Sequence, residues 1–426
     1  MVAAAQHTGA VSATSLTRYS RWALSATVAC MPLYVVRFHI GPIPTTILEL
    51  LVLLTIGLYA AGRVRAGSWR PTRSGLEIPL ALLLIAGAIG IVVSPDHVGA
   101  LGIYRAYFIE PVILFYVALD LLASPDDFRT VLLGFAVGAT AFAIGNLGAW
   151  VDNLVHHQVI GVRNAPEVLY TSPNAVAMFL EPPAAIAAGF ALYASEKRDR
   201  IVALVCLPIL LASIVLTLSR AGLLTLAVMA VVAVITMPQL RLKIALLVGA
   251  SVSGLAISRI PWIQERLSQQ LDPNYSGNTF EGRLHIWSDT LVMLRDHPIF
   301  GAGIRAYTQV MRPYLTGGRT LELYPHNVFL AMWSELGLLG LIAFVGLLAA
   351  LLWRGWRGFG RAVGFARPML WGAALSFVAI AVHGLFDTPY FKNDLAVEFW
   401  TLAALEVAAL TILGGAATAK AILQRS

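Results

Sequence analysis

Charged residues are scarce in this chain of 426 residues, where Asp, Glu, Lys and Arg together make up 12%. A soluble globular domain carries roughly twice that share, so the composition excludes an ordinary soluble protein. Cysteine is scarcer still: Cys30 and Cys206 both lie inside apolar runs. Two isolated thiols provide neither a disulfide framework nor a zinc site, and we interpret them as packing residues.

Nucleotide-binding motifs are also lacking. Neither a P-loop nor a dinucleotide-binding glycine pattern occurs in the sequence, so we expect no cofactor and a substrate that arrives already activated. The acidic residues predicted to lie outside are scattered, without the spacing that a divalent ion needs, so we expect no metal site. The net charge of +7 does not indicate nucleic acid binding, because basic residues in such a chain mostly mark cytoplasmic loops.

Apolar runs fill most of the chain. Hydrophobic residues make up 58% of it, and the mean hydropathy is +0.75. A membrane-spanning helix needs about 20 apolar residues, with a range of roughly 17 to 25. The sequence therefore predicts an all-α polytopic membrane protein with about twelve transmembrane helices, at about 22–38, 45–62, 76–93, 106–122, 130–150, 173–194, 201–218, 221–237, 243–258, 327–352, 369–386 and 395–416.

The distribution of Lys and Arg predicts the orientation of these spans. With a cytoplasmic N-terminus, 18 of the 30 basic residues lie in cytoplasmic segments, 5 in the short external segments and 7 in one long segment. Short cytoplasmic loops carry such an excess, whereas loops beyond about 60 residues escape the rule. We expect both termini inside and three regions: helices 1–9 over 1–258, a long external loop over 259–326, and helices 10–12 over 327–426.

The loop over 259–326 is the long polar interruption of the sequence. A loop of this length in a compact protein is uncommon unless it has a function. Its stretch from Gly282 to Asp296 predicts an amphipathic helix along the membrane surface. We expect the loop and arginines at neighbouring span ends to form a reaction centre. The apolar stripe of the helix is Leu284, Trp287, Leu291 and Leu294, and the loop arginines are Arg259, Arg266, Arg283, Arg295, Arg305, Arg312 and Arg319.

His326 is the candidate catalytic residue. It closes the loop in Tyr324-Pro325-His326-Asn327, at the external mouth of a span. An unperturbed histidine titrates near 6.5, so it exchanges a proton at neutral pH. A positioned general base contributes roughly 10² to 10⁴ in rate. The alternative is an interfacial histidine that only caps the helix beginning at Asn327.

Three arginines are candidate anion-binding residues. Arg220 interrupts an apolar run, where an ionisable group is costly unless it meets water, a partner or a substrate. Its planar fork suits phosphate oxygens; the alternative is an arginine that snorkels to the interface. Arg283 opens the amphipathic helix, and Arg163 precedes the sixth span. Asp387, after the eleventh span, could orient the histidine or balance the arginines; a structural ion pair is the alternative.

Short motifs follow one another in order along residues 160–390. They are Ser172-Pro173-Asn174, Leu218-Ser219-Arg220-Ala221-Gly222, Gly282-Arg283-Leu284-His285-Ile286-Trp287, Asp296-His297-Pro298-Ile299-Phe300-Gly301-Ala302-Gly303, His326-Asn327 with Glu335-Leu336-Gly337-Leu338-Leu339-Gly340, and His383-Gly384-Leu385-Phe386-Asp387. This ordered set, with twelve spans, resembles the O-antigen ligase/polymerase superfamily, and most closely its O-antigen ligase branch.

The resemblance implies a metal-independent, inverting glycosyltransferase of the GT-C type in the bacterial inner membrane. Such enzymes take a glycan from undecaprenyl diphosphate and transfer it to an acceptor hydroxyl at the periplasmic face, which for ligases belongs to a lipid A–core sugar. Carried over, Arg220 and Arg283, with Arg163, would bind the diphosphate. His326 would deprotonate or orient the acceptor hydroxyl, with Asp387, Tyr324 and Asn327 in support.

Three alternatives remain open. The acceptor is a growing polysaccharide in the polymerases of this superfamily, and a protein serine or threonine in its O-linked oligosaccharyltransferases. The single long loop ending in His326 favours a ligase. A transporter of lipid-linked glycans belongs to a different class, and it would place key charges at mid-depth or on both faces of the membrane.

Overall fold

The computed structural model describes residues 2–67, 72–156, 168–237, 279–315 and 321–423, together with Lys243, Arg259 and Gln264. The predicted ninth span, 243–258, and much of the predicted loop lie outside these residues. Within them the chain forms thirteen helices: α1 Val2–Ala29, α2 Ile47–Ala66, α3 Glu77–Val93, α4 His97–Leu121, α5 Pro125–Val155, α6 Pro173–Tyr193, α7 Lys197–Leu216, α8 Arg220–Thr236, α9 Thr279–Asp296, α10 Tyr307–Met311, α11 Val328–Phe359, α12 Ala366–His383 and α13 Asn393–Leu423.

The predicted all-α polytopic class is confirmed. Eight described helices are long and apolar enough to cross a membrane, namely α2, α4, α5, α6, α7, α11, α12 and the part of α13 up to Ile412. Helices α3 and α8 are shorter and apolar. The two predicted spans around Ser219 are separate helices, because Ser219 caps α8 by accepting a hydrogen bond from the Gly222 amide.

The first predicted span, 22–38, is wrong in its limits. Helix α1 ends at Ala29, and the chain continues as a helical turn over Met31–Val35. It then forms an antiparallel hairpin of β1 Arg37–Ile40 and β2 Ile43–Thr46. The predicted span extended past the end of α1 into the first strand of this hairpin. Gly41, with a φ of +60°, makes the turn between the two strands.

Helices α6, α12 and α13 form the centre of the bundle, and we call them the central helices. The buried share of their spanning segments is 83%, 78% and 83%, against 28–44% for the other five spans. Small residues allow this packing: a Cβ added at Gly189 of α6 would meet the Pro368 carbonyl oxygen of α12, and one at Gly372 would meet the Ile186 backbone. Close backbone approach is the usual role of small residues between membrane helices.

Helix α9 confirms the predicted loop helix but not its predicted apolar stripe. Leu294 is buried, whereas Leu284 and Leu291 are exposed. The buried side instead includes Thr290 and Met293, because α9 packs on a small core formed by the following loop and α10. Its exposed apolar side chains are available to a lipid surface.

Candidate active site

His326 lies in the turn that precedes α11, in a conformation rarely adopted by residues other than glycine. Its φ is +47°, a left-handed value that in a non-glycine residue is often associated with a functional site. The turn is fixed by α9, because the Trp287 indole nitrogen donates a hydrogen bond to the Pro325 carbonyl oxygen over 3.0 Å. Trp287 also packs against Phe386, beside Asp387.

The imidazole of His326 lies between the buried carboxylate of Asp387 and the carboxylate of Glu322. Nδ1 is 3.4 Å from Oδ1 of Asp387, and Nε2 is 3.7 Å from Oε2 of Glu322. The Tyr324 ring stands edge-on to the imidazole, with centroids 4.9 Å apart. A quarter of the histidine side chain is exposed (26%). A base that is oriented by a buried carboxylate and partly exposed is equipped for proton transfer.

Asp387 follows the C-terminal end of α12 and is buried. Its Oδ2 accepts a hydrogen bond from Asn174 over 2.9 Å, and its Oδ1 accepts one from the Thr388 amide. Burial alone would raise the pKa of this carboxyl group. Hydrogen bonding from His326 and Asn174 and the charges of His326 and His383 outweigh burial and hold the pKa well below its usual range.

A chain of hydrogen bonds connects Asp387 to the start of α8. Asn174, at the start of α6, accepts a hydrogen bond over 2.6 Å from the Ser219 hydroxyl, which is the N-cap of α8. The preceding Leu218 has a φ of +56°. These hydrogen bonds form a network of four side chains, which we call the Ser219–His326 network: Ser219, Asn174, Asp387 and His326. Arg220, the first residue of α8, is adjacent to its first member.

Arg283 lies one helical turn before Trp287 on α9, near the same site. Burial lowers the pKa of its guanidinium, and the negative charge of Asp387 opposes that effect. Among the described residues, Arg283 has no carboxylate within ion-pair distance. Arg283 is a half-buried cation near the negative charge of Asp387 but not paired with it, so it can bind an anionic substrate. Arg163 lies outside the described residues.

Tyr324 and Asn327, on either side of His326, have different structural roles. Burial, together with the negative charges of Asp387 and Glu322, raises the pKa of Tyr324 to about 12, so its hydroxyl stays neutral. Asn327 is the N-cap of α11, accepting hydrogen bonds from the amides of Phe329 and Leu330, and its amide donates to the Leu385 carbonyl oxygen. The capping role considered for His326 thus belongs to Asn327.

Two of the motifs pack backbone against backbone instead of lining the site. Gly337 breaks α11 with a φ of +72°, and a Cβ there would collide with the Ile299 carbonyl oxygen. The amides of Ala302 and Gly303 both donate to the Ser334 carbonyl oxygen. These contacts fix the loop after α9 on α11. They explain why the motifs are rich in glycine without giving them a chemical role.

The described residues contain no group of three or more His, Cys, Asp or Glu side chains able to hold a metal ion. Independence of the reaction from metal stays a prediction.

An apolar cavity of about 290 Å³ lies between α5, α6 and α7. Its polar rim, Arg129, Arg198 and Asp199, is at the opposite end of these helices from Asn174, so the cavity is not part of the site.

The structure adds residues that the motifs alone did not single out. Asn174 was noted as part of a motif, but its bonds to Ser219 and Asp387 depend on tertiary packing. Trp287 was assigned to an apolar stripe, and it instead fixes the His326 turn through its indole nitrogen. Glu322, four residues before His326, carries no sequence signal beyond that spacing.

Comparison with known families adds one finding. Residues 204–345 match the family model described as O-antigen ligase, and no curated protein matches the chain. The match covers about a third of the chain, including Arg220, Arg283 and His326. It confirms the resemblance to the O-antigen ligase superfamily. With the apolar helices, it indicates a multi-pass membrane protein of the glycosyltransferase type found in O-antigen ligases and polymerases.

Proposed function

We propose that the protein is an O-antigen ligase that moves a glycan from undecaprenyl diphosphate to a lipid A–core sugar hydroxyl at the periplasmic face of the bacterial inner membrane. The observation that supports the proposal is the Ser219–His326 network, whose four hydrogen-bonded residues come from four separate motifs and lie at one end of the bundle. Arg220 is adjacent to Ser219 of this network, and the negative charge of Asp387 acts on Arg283. Both termini are then cytoplasmic, and the loop that contains α9 is periplasmic.

The chemistry assigns a part to each residue. Arg220 and Arg283 neutralise the charge that develops on the leaving diphosphate, in a partly dehydrated site where such stabilisation is strong. His326 removes the proton of the acceptor hydroxyl, and Asp387 holds the imidazole and stabilises the imidazolium. The acceptor oxygen attacks the anomeric carbon while the bond to the diphosphate oxygen breaks, which inverts the configuration. Arg163 is a further proposed contact of the diphosphate.

Transport of the lipid-linked glycan is a second candidate with one observation in its favour. Glu181 of α6 and Glu398 of α13 are buried within the central helices, where a transporter often places ionisable groups. The Ser219–His326 network lies at one end of the bundle, and transport would not explain it.

A transfer assay tests the proposal. Purified protein is incubated with an undecaprenyl-diphosphate glycan in EDTA, with either a lipid A–core acceptor or a polysaccharide acceptor. The ligase predicts product with lipid A–core, unaffected by EDTA, and inverted configuration at the new linkage. Product with polysaccharide alone identifies a polymerase. Movement of the donor across vesicles without any product identifies a transporter and contradicts the proposal.

A further inference from the structure

A second histidine is buried directly behind the site. His383, the last residue of α12, and Glu181 of α6 are 0% and 1% exposed. Nδ1 of His383 lies 2.8 Å and 3.0 Å from the two oxygens of Glu181. Nε2 of His383 has no hydrogen-bond partner in the described part of the chain. Such short contact to both oxygens is typical of a charge-assisted hydrogen bond.

The third central helix brings two more acids close to this pair. Asp394 of α13 accepts a hydrogen bond from the buried Tyr170 hydroxyl and has Lys392 as its positive neighbour. Glu398 has Asp394 and Glu181 as its charged neighbours, and its Oε1 lacks a partner among the described residues. Burial without a counter-charge favours the neutral form of a carboxyl group. Among the described residues, Glu398 therefore has no positively charged neighbour, whereas Glu181 has His383.

The pair is coupled to the site through Asp387. The Asp387 amide donates a hydrogen bond to the His383 carbonyl oxygen over 3.0 Å, one helical turn away. A positive charge on His383 lowers the pKa of the Asp387 carboxyl group, and this carboxylate in turn orients His326. A change in the charge of the pair therefore changes the electrostatic potential at the base.

We propose that His383 and Glu181 are a buried ionic pair that sets the pH range in which the site transfers glycan. Both are positioning residues, because they act through Asp387 and do not touch the substrate. The inference rests on the proposed function. Two titratable groups face the pair: Asp387 from the loop after α12 faces His383, and Glu398 of α13 faces Glu181. Asp394 faces Glu398 in turn, and Lys392 and Tyr170 face Asp394.

The test is the pH dependence of transfer by His383→Gln, Glu181→Gln and the double variant. Each single change leaves the other residue buried without a counter-charge, and that residue then becomes neutral. The positive charge near Asp387 is lost in all three proteins, so the site is protonated more easily. We expect the acidic limb of the rate profile to move to higher pH by roughly half a unit or more. The double variant should show the same shift as either single one.

Glu406→Gln is the matched control. Glu406 is a buried glutamate of the same helix as Glu398, and its oxygens also lack partners among the described residues. It lies eight residues further along α13, which is about 12 Å. Its profile should superimpose on that of the parent. The inference would be overturned if the profiles of the His383 and Glu181 variants superimposed on that of the parent after scaling for rate. Shifts that add in the double variant would also overturn it.

Infrared difference spectroscopy tests the pair without any activity. If the pair is ionic, Glu181→Gln removes an ionised carboxylate band from the spectrum of the purified protein at neutral pH. Loss of a protonated carboxyl band instead would show a neutral pair and overturn the inference. A parent that fails to transfer glycan contradicts the proposed function and leaves this spectroscopic result standing on its own.

Discussion

His326 owes its position to a turn that few side chains favour. A φ of +47° in a residue with a Cβ is tolerated because its surroundings are fixed on both sides. Trp287 fixes the turn from α9, and Asn327 begins α11 immediately after it. His326 and Asp387 were both singled out in the sequence. Their contact could not be predicted, because it depends on how α11 and α12 pack.

Asp387→Asn is expected to reduce the transfer rate by about 10² to 10⁴, since the imidazolium loses its stabilising charge. The held-down pKa of Asp387 also predicts a stability effect. A carboxyl group with a depressed pKa stabilises the fold above its unfolded value, near 3.9, and loses that contribution as pH falls through its folded value. The parent should therefore exceed the variant in thermal stability at about pH 5, where the carboxyl group is ionised in both the folded and the unfolded chain.

This difference should shrink below about pH 4, where the carboxyl group of the unfolded chain takes up a proton while that of the folded protein stays ionised. Melting curves of parent and variant across this range, beside transfer rates at pH 7, measure both effects. Equal rates in the two proteins would remove Asp387 from the site.

Arg283→Lys tests whether the planar fork matters in addition to the charge. Lysine keeps the positive charge but cannot bind two phosphate oxygens in parallel. We expect kcat/KM for the donor to fall by roughly 10- to 100-fold, which is about 1.4 to 2.7 kcal/mol. Arg295→Lys, at an exposed position on the same helix, should behave like the parent. Equal losses in both variants would contradict a specific role for the planar fork of Arg283.

At the level of elements, helix ends carry the site. Ser219, Asn174 and Asn327 all lie at the starts of helices, and Asp387 follows the end of α12. Helix positions followed from apolar length, which is why the predicted spans after residue 45 correspond to helices wherever the chain is described. The first span was wrong because Arg37–Thr46 forms a hairpin. The stripe on α9 was wrong because loop residues, and not the spans alone, cover that helix.

Ser219→Ala separates capping from the role of Ser219 in the Ser219–His326 network. Losing the cap of α8 should cost about 1 kcal/mol of stability, and losing the hydroxyl at Asn174 should also lower transfer about 10-fold. Ser124→Ala removes the cap of α5, which has no contact with the site. It should cost similar stability at an unchanged rate. Unfolding curves and transfer rates of both variants decide, and equal rates would contradict a role for Ser219 beyond capping.

Across the whole molecule, the central helices bring together what the sequence separates. Asn174 and Asp387 are 213 residues apart in the chain, yet their side chains lie 2.9 Å apart. Composition predicts the membrane class, and the ordered motifs predict the superfamily. The pairing of His383 with Glu181 could not be predicted, because a lone buried histidine gives no indication of its partner. Arg163 stays a prediction, since it lies outside the described residues.

The predicted topology places α9 and the loop between α11 and α12 on opposite sides of the membrane. With Cys30 and Cys206 replaced, His285→Cys and Arg361→Cys provide exposed thiols on the two sides. A membrane-impermeant maleimide should label the first in intact spheroplasts and the second only after permeabilisation. Labelling of both in intact spheroplasts would contradict this topology.

Single-turnover transfer by His326→Ala, beside His285→Ala on the exposed part of α9, tests the central claim most directly. Donor binding is measured in the same preparations, so that a lost base is distinguished from a lost substrate. The account predicts equal donor binding in all proteins and a parental rate for His285→Ala. It predicts a rate about 10² to 10⁴ lower for His326→Ala. Transfer by folded His326→Ala at the parental rate would contradict it.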